Sequence, residues 1–488
     1  MSTRRKAFEG GSLLAASRVG SQVLALGRNV FIARILTPED YGLAATFWIT
    51  TGLLATITEF GFQQRLIQAK DGDDDRVGAV AQSLFVFRGL LIGAVLLAVA
   101  GPVARLFDAP EATWAFQLLA LLPVLGGFKH RDLDRVKRHL NFKPEVATKL
   151  VPEVIITLAA VPIALATRDY STFLFIALIK TAMVVSVSHW LAERPFRLGW
   201  DRQIVGRFMG FGWPLLINSL LMYGTMQGDR IILAGAYTKE ELGVYSVAIG
   251  LVSAVLGMVT SAINPMALPL MARVQDDRAT FEKHYRLHVT AMAAIAAFAG
   301  AGFILLGPQA ITLVYGSKYA LATVVVGWLG VSQSLRLLRV PAMNAAMARG
   351  DTRITMYTNV FRQSGILFAL MAAWRGLPLE WIAISGVAGE MAALVVSGVL
   401  LNRRHDMPTA ALWKPAAFVI TCHAAAIAII LGGDVASSWL ASVIWFLVIA
   451  TVASVVYLRL FPGFRLEVQN ALGAIRRLIA SRTMSPTR

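Results

Sequence analysis

The segment Ala33-Arg-Ile-Leu-Thr-Pro-Glu-Asp-Tyr-Gly42 has a second copy 201 residues downstream, Ala234-Gly-Ala-Tyr-Thr-Lys-Glu-Glu-Leu-Gly243. Ala33, Thr37, Glu39 and Gly42 recur as Ala234, Thr238, Glu240 and Gly243. Upstream, Gly11 and Leu14 fall on Gly212 and Leu215 without a gap. Both copies occupy the same place, a short polar turn between two long apolar stretches. The flanks decide the fold class. About 20 residues of helix cross about 30 Å of hydrocarbon. The chain offers fourteen such stretches, at 11–33, 42–60, 79–104, 112–128, 147–167, 170–191, 208–233, 242–268, 287–306, 320–345, 355–374, 378–401, 413–432 and 438–458. The first, seventh and tenth contain charges and are weaker by hydropathy. None alternates with period two, so barrel strands are excluded, and backbone facing lipid must then be helical. The expectation is an all-α polytopic membrane protein of about fourteen helices.

Composition agrees. Of 488 residues, 56% are apolar and only 15% charged, against roughly a quarter charged in a soluble chain. The net charge of +17 resides in short clusters between apolar runs. This is a positive-inside bias and not a nucleic-acid patch. Loops 65–76, 129–145, 193–207, 272–286, 349–353 and 402–414 hold 22 Lys and Arg. The intervening loops hold six: Arg34, Arg105, Arg168, Lys239, Lys318 and Arg375. The alternation puts both termini in the cytoplasm and makes the first span an uncleaved helix, since Arg18 and Arg28 interrupt any signal-peptide core.

Six spans separate the two copies of the repeat, so the halves share one orientation. This is the parallel repeat of many transporters, with a substrate site between halves that rock. The expected division is a six-helix lobe at 1–205, a second at 206–405, two additional helices at 406–460 and a basic cytoplasmic tail at 461–488. Two basic segments have apolar residues at helical spacing and read as amphipathic helices on the inner membrane face. One carries Leu133, Val136 and Leu140, and the other Phe464, Val468, Leu472, Ile475 and Ile479. Docking a partner enzyme is the alternative use of both.

Ionisable groups inside the membrane are costly and mark cavities or partners. On the first span Arg18, Arg28, Ser17, Ser21, Gln22 and Asn29 share an arc of about 140° at 100° per residue. Arg18 and Arg28 lie about 15 Å apart along the axis, so two cations at different depths can pass an anion between them. The seventh span carries Asn218, Tyr223, Thr225, Gln227, Asp229 and Arg230, and the repeat puts Asp229 at the position of Arg28. Pairing of Arg28 with Asp229 across the repeat is one expectation; a local pair of Asp229 with Arg230 is the other. Lys149 and Glu153, four apart, read as a pair on one helix face. Arg88 and Arg362 read either as cavity cations or as side chains snorkelling to the cytoplasmic edge. Cations outnumber acids, and the guanidinium fork suits phosphate, so an anionic substrate follows, a phosphate or an acidic sugar. The substrate-binding candidates are Arg18, Arg28, Asn29, Asn218 and Arg230; the ion-coupling candidates are Asp229 and Glu390.

No zinc pattern and no Walker loop occurs, so no metal, cofactor or intrinsic ATPase is expected. The run Asp73-Asp74-Asp75 reads as a solvated loop, and Cys422 as a small buried side chain. Short outer loops argue against a polytopic glycosyltransferase or polymerase, so catalytic residues are not expected.

Several of these residues resemble a known family, the polysaccharide (O-antigen-type) flippases of the multidrug/oligosaccharidyl-lipid/polysaccharide exporter superfamily. Arg34-Ile-Leu-Thr-Pro-Glu-Asp-Tyr-Gly42 is similar to that family's Arg-x-Leu-x-Pro-x-x-Tyr-Gly. The likeness continues in Gly61-Phe62, Leu66-Ile67-Gln68, Asp229-Arg230-Ile-Ile-Leu233, Leu242-Gly-Val-Tyr-Ser246, Pro265 and Pro269–Asp277. It departs at Arg65, where a small residue is expected. The resemblance implies two six-helix lobes plus two helices, and a central cavity lined by spans 1, 2, 7 and 8. It also implies export of a polyprenyl-diphosphate-linked oligosaccharide from the inner to the outer leaflet of the cell inner membrane. Its partners would be that lipid-linked substrate, membrane lipids and polysaccharide assembly proteins, with no nucleic acid. The alternative within the superfamily, an ion-coupled drug or cation antiporter, wants acids in the cavity where this chain has arginines.

Overall fold

The computed structural model describes residues 3–58, 61–68, 71–139, 141–432, 438–467, 469–470 and 473. Among them every regular element is helical. In chain order these are α1 (Thr3–Ile35), α2 (Pro38–Ile57), α3 (Phe62–Gln68), α4 (Asp75–Leu106), α5 (Thr113–Leu118), α6 (Leu121–Gly127), α7 (Asp132–Arg138), α8 (Lys143–Thr167), α9 (Ser171–Trp190) and α10 (Arg202–Ala236). Then follow α11 (Lys239–Ala272), α12 (Arg278–Leu305), α13 (Gly307–Tyr315), α14 (Ala322–Ala348), α15 (Thr352–Arg362), α16 (Ser364–Trp374), α17 (Glu380–His405), α18 (Thr409–Gly432) and α19 (Trp439–Leu460). Each of the fourteen apolar stretches falls on a helix or a broken helix. Eight helices among the described residues are long and apolar enough to cross a membrane: α4, α8, α9, α11, α12, α17, α18 and α19. A bent pair running through α6 into α7 would make nine. The charged α1, α10 and α14 fall outside that set for the reason already visible in their sequences.

Exposed side chains show what surrounds the protein. On α19, Leu440, Ile444, Leu447, Val448, Val452 and Val455 all face outward. A soluble protein does not present such a continuous apolar face; lipid accepts it. The chain is a multi-pass membrane protein.

The chain divides into two compact units. The first comprises residues 1–265, 311–325 and 363–386; the second 266–310, 326–362 and 387–488. In the first unit, α1 packs along α8, α4 along α6, and α10 on α2 and α16. A cluster of Leu43, Phe47, Ala104, Ala112, Phe116 and Leu174 fills one end of it. In the second, α12 packs on α18 and on α19.

The repeated motifs lie in the first unit and are matched atom for atom. Thr37 caps α2, accepting from the Asp40 amide at 3.1 Å, while the Asp40 carboxylate accepts from the Thr37 hydroxyl at 2.6 Å. Thr238 and Glu241 repeat this at α11, at 3.1 and 2.9 Å. These are capping boxes, which satisfy amides that a helix start leaves orphaned. The two helix starts then touch. A Cβ on Gly42 would sit 1.8 Å from the Lys239 carbonyl oxygen, and one on Gly243 would sit 1.9 Å from that of Pro38. Pro38 and Lys239 are themselves 201 residues apart, so the contact is reciprocal, as a local two-fold requires. Only glycine permits so close a backbone approach.

The cations beside this contact serve backbone. Lys318 Nζ donates to the Arg34 and Leu36 carbonyls at the end of α1, at 2.8 and 2.6 Å. Arg34 donates in turn to Leu313 and Val314 near the end of α13. Each neutralises a helix C-terminus whose last carbonyls lack partners.

The basic loops differ from expectation. The segment with Leu133 and Val136 is not a lipid-facing helix: α7 is short, and both residues are buried in protein. It packs on α3 and α8, and its two acids, Asp132 and Asp134, are buried with it. Leu140 lies outside the described residues. In the tail, Phe464 packs on the Tyr457 ring, while Val468, Leu472, Ile475 and Ile479 lie outside the described residues. Nor is the run Asp73–Asp75 merely solvated. Asp73 pairs with Arg138 and His139, Asp74 caps α4, and Asp75 pairs with Arg194 at 2.6 Å. Acids in this loop organise the neighbouring basic loops.

Candidate substrate-binding site

On the polar arc of α1, Arg28 is the buried charge, 9% exposed, and Ser17 is buried with it. The partner is Glu153 of α8, which accepts from Arg28 Nη1 through Oε1 and from Lys180 Nζ of α9 through Oε2. Packing of α1 along α8, and of α8 along α9, brings the three side chains together. Glu153 is buried, whereas the Lys180 side chain remains 38% exposed. One carboxylate therefore serves two cations, and the set carries a net positive charge in a low-dielectric setting.

This arrangement corrects two expectations. Lys149 pairs with Glu145 at 2.8 Å, not with Glu153; the i,i+4 spacing permits either acid, and the burial of Glu153 against α1 decides. Arg28 likewise pairs with Glu153, not with Asp229. Asp229 accepts from the Tyr245 hydroxyl at 2.6 Å and from the Arg230 amide at 2.8 Å. The Arg230 guanidinium donates to Gln227 at 3.1 Å. The local alternative for Asp229 is thus also replaced, by a bond to a buried tyrosine that sits two residues beyond Gly243. A tyrosine donor at this place has no charge signature in the sequence.

The remaining candidates are spread more widely. Arg18 is exposed and Asn29 half-buried, each without a side-chain partner among the described residues. The side chains of Asn218 and Arg65 lie outside the described residues. Arg88 donates to the Thr58 hydroxyl at 3.0 Å and the Ala55 carbonyl at 2.7 Å, closing the end of α2. Glu390, in the second unit, is buried between Arg339 at 3.3 Å and Arg362 at 2.6 Å. Arg362 is accordingly an ion-pair residue and not a snorkelling one.

Comparison with known proteins places the chain in a family. The model of a family described as "Polysaccharide biosynthesis protein" matches residues 31–324. The chain belongs to this polysaccharide biosynthesis family. The matched stretch holds both repeated motifs, Glu153, Lys180 and Asp229. The succinoglycan biosynthesis transport protein ExoT of Rhizobium meliloti is 25% identical over 65% of this chain and 64% of its own length. The chain thus spans somewhat less than two thirds of that relative. The lipopolysaccharide biosynthesis protein WzxC of Escherichia coli is 21% identical over 85% of this chain and 86% of its own. Among solved structures, lipid II flippase MurJ in an inward closed conformation superposes with a TM-score of 0.72 at 13% identity, covering 92% of this chain and 99% of that one. At that identity the likeness establishes the fold of this polysaccharide biosynthesis family member.

Proposed function

We infer that the chain is a flippase for a polyprenyl-diphosphate-linked oligosaccharide, moved across the cytoplasmic membrane by alternating access. The observation that carries this reading is Arg28: a buried arginine two turns from the end of α1 in a polar face, held through only one of its arms. Buried arginines of this kind recognise phosphate through paired donors. Family membership and the relatives' roles in polysaccharide biosynthesis and transport support the substrate class. On this reading Arg28 takes the diphosphate, with Arg18, Asn29, Asn218 and Arg230 along its path. Fourteen spans form two parallel six-helix lobes plus two C-terminal helices, with both termini cytoplasmic. A drug or cation antiporter would use a free acid, and the buried acids of α8 and α17, Glu153 and Glu390, are each held by two cations.

The test is lipid-linked sugar analysis in a strain lacking the gene. Repeat units should accumulate on the cytoplasmic side, and Arg28→Ala, inserted at parental level, should fail to clear them. Parental export by Arg28→Ala would overturn the reading. Reporters fused near Asp40 and within 129–145 should read outside and inside respectively; a cytoplasmic signal near Asp40 would overturn the fourteen-span arrangement.

A further inference from the structure

The bond between Arg28 and Glu153 has an unusual form for a buried arginine. An Arg–carboxylate pair normally engages both carboxylate oxygens in two parallel bonds. Here Glu153 gives Arg28 a single oxygen and spends the other on Lys180. Among the described residues no other group hydrogen-bonds the Arg28 guanidinium, so most of its fork is uncommitted. The second cation, Lys180, is the most accessible member of the three, and Arg28 is nearly sealed. The set also lacks one negative charge for balance.

We propose that Glu153 is an internal stand-in for the substrate's phosphate, occupying Arg28 when the site is empty and yielding it when an anionic headgroup arrives. This rests on Arg28 being the phosphate-binding residue. A phosphate brings more negative charge than a carboxylate and fits both arms of the fork, so it outcompetes a carboxylate bound through one oxygen. Lys180 makes the exchange tolerable, because Glu153 keeps one cation after losing the other and no buried charge is left alone. In the empty state the same bond keeps Arg28 from standing as an uncompensated cation against the membrane core. Glu153 is then a positioning residue that sets how readily the site releases and accepts anions.

The experiment uses the purified full-length chain in lipid nanodiscs, with inorganic pyrophosphate as the probe and calorimetry as the readout. Glu153→Gln removes the competing charge and should tighten pyrophosphate binding about tenfold or more, that is by at least 1.4 kcal/mol. Glu153→Asp is the deciding variant. It keeps the charge but withdraws it by one methylene; the flexible, accessible Lys180 follows it, while the packed Arg28 does not. Direct competition therefore predicts tighter binding in Glu153→Asp as well. A simple long-range charge effect predicts that Glu153→Asp binds like the parent, and that result would overturn the proposal even if Glu153→Gln binds tightly. Should Glu153→Gln fail to fold, Glu153→Asp alone decides, since its buried cations remain compensated. Arg28→Ala separates this inference from its foundation. Parental binding by Arg28→Ala removes Arg28 as the phosphate site, and the stand-in with it. Loss of binding in Arg28→Ala, with no gain in Glu153→Asp, removes the stand-in alone.

Discussion

Two buried carboxylates, one in each half of the chain, are built alike and used differently. A shift of 209 residues lays the start of α8 on that of α15 and the start of α9 on that of α17. It lays Glu153 on Arg362, and Lys180 within one residue of Glu390. Both halves thus hold an ion pair between these two helices, but its polarity is reversed. Each pair then recruits one further arginine: Arg28 from α1 in the first half, Arg339 from α14 in the second. The environments diverge. The Glu390, Arg339 and Arg362 side chains are 2%, 7% and 12% exposed, whereas Lys180 is 38% exposed. The repeat preserves a need for buried charge balance, not the residues that meet it. The sealed set suits a fixed strut, and the open set, tied to the polar face of α1, suits exchange.

The largest effect should come from the sealed set. Glu390→Ala removes the acid that two buried arginines share, and removing one partner of a buried pair costs about 3–5 kcal/mol. The thermal unfolding midpoint of the purified protein should fall steeply, or folded protein should not be recovered. Glu153→Ala should cost clearly less, because Lys180 can reach water. Equal losses in the two variants would erase the distinction between strut and exchanger.

Next in size is the place where the halves agree. Gly42→Ala and Gly243→Ala each force a methyl into the other copy's backbone. Overpacking of this kind costs about 1–3 kcal/mol. The two losses should be similar, since the contact is reciprocal, and both should raise labelling of a single cysteine placed near Asp40 in a Cys422→Ser background. A loss confined to one glycine would mean that the two-fold is only apparent.

A smaller effect distinguishes the basic loops of the two halves. Burial alone would raise Asp132, but hydrogen bonds from Arg135 and from the Glu193 and Arg194 amides hold it below the usual carboxylate range. At Asp351 burial likewise raises the carboxylate, and bonds from Arg404 and His405 outweigh it and hold it below the usual range. A carboxylate lowered in the folded state gives stability above its unfolded value of about 3.9 and loses it as pH falls through the folded value. Unfolding midpoints should therefore decline below about pH 4. Asp132→Asn should flatten that decline more than Asp351→Asn, because the Asp132 side chain is 3% exposed and that of Asp351 12%. The reverse order would show the second half's basic loops to be the more tightly coupled.

The helices, the repeated turn and the charged faces are all legible along the chain. Apolar length against membrane thickness admits helices alone, and the repeat is visible wherever identical residues meet identical geometry, as at Thr37 and Thr238. Arg28 was legible as a buried cation because its neighbours on the helical arc are polar. Its partner was not. Spacing along one helix offered Lys149 for Glu153, and the repeat offered Asp229 for Arg28, since sequence exposes only local and symmetry-related neighbours. Which carboxylate meets Arg28 depends on which helix α1 packs against, a contact between residues 125 positions apart. The same holds for Leu133 and Val136: helical periodicity marks an apolar face, but only the position of α7 against α3 and α8 decided that protein, and not lipid, covers it. Tertiary packing decided these partners because a buried charge or apolar face is satisfied by whatever chemistry lies nearest in space, and nearness in space between helices is set by the whole fold.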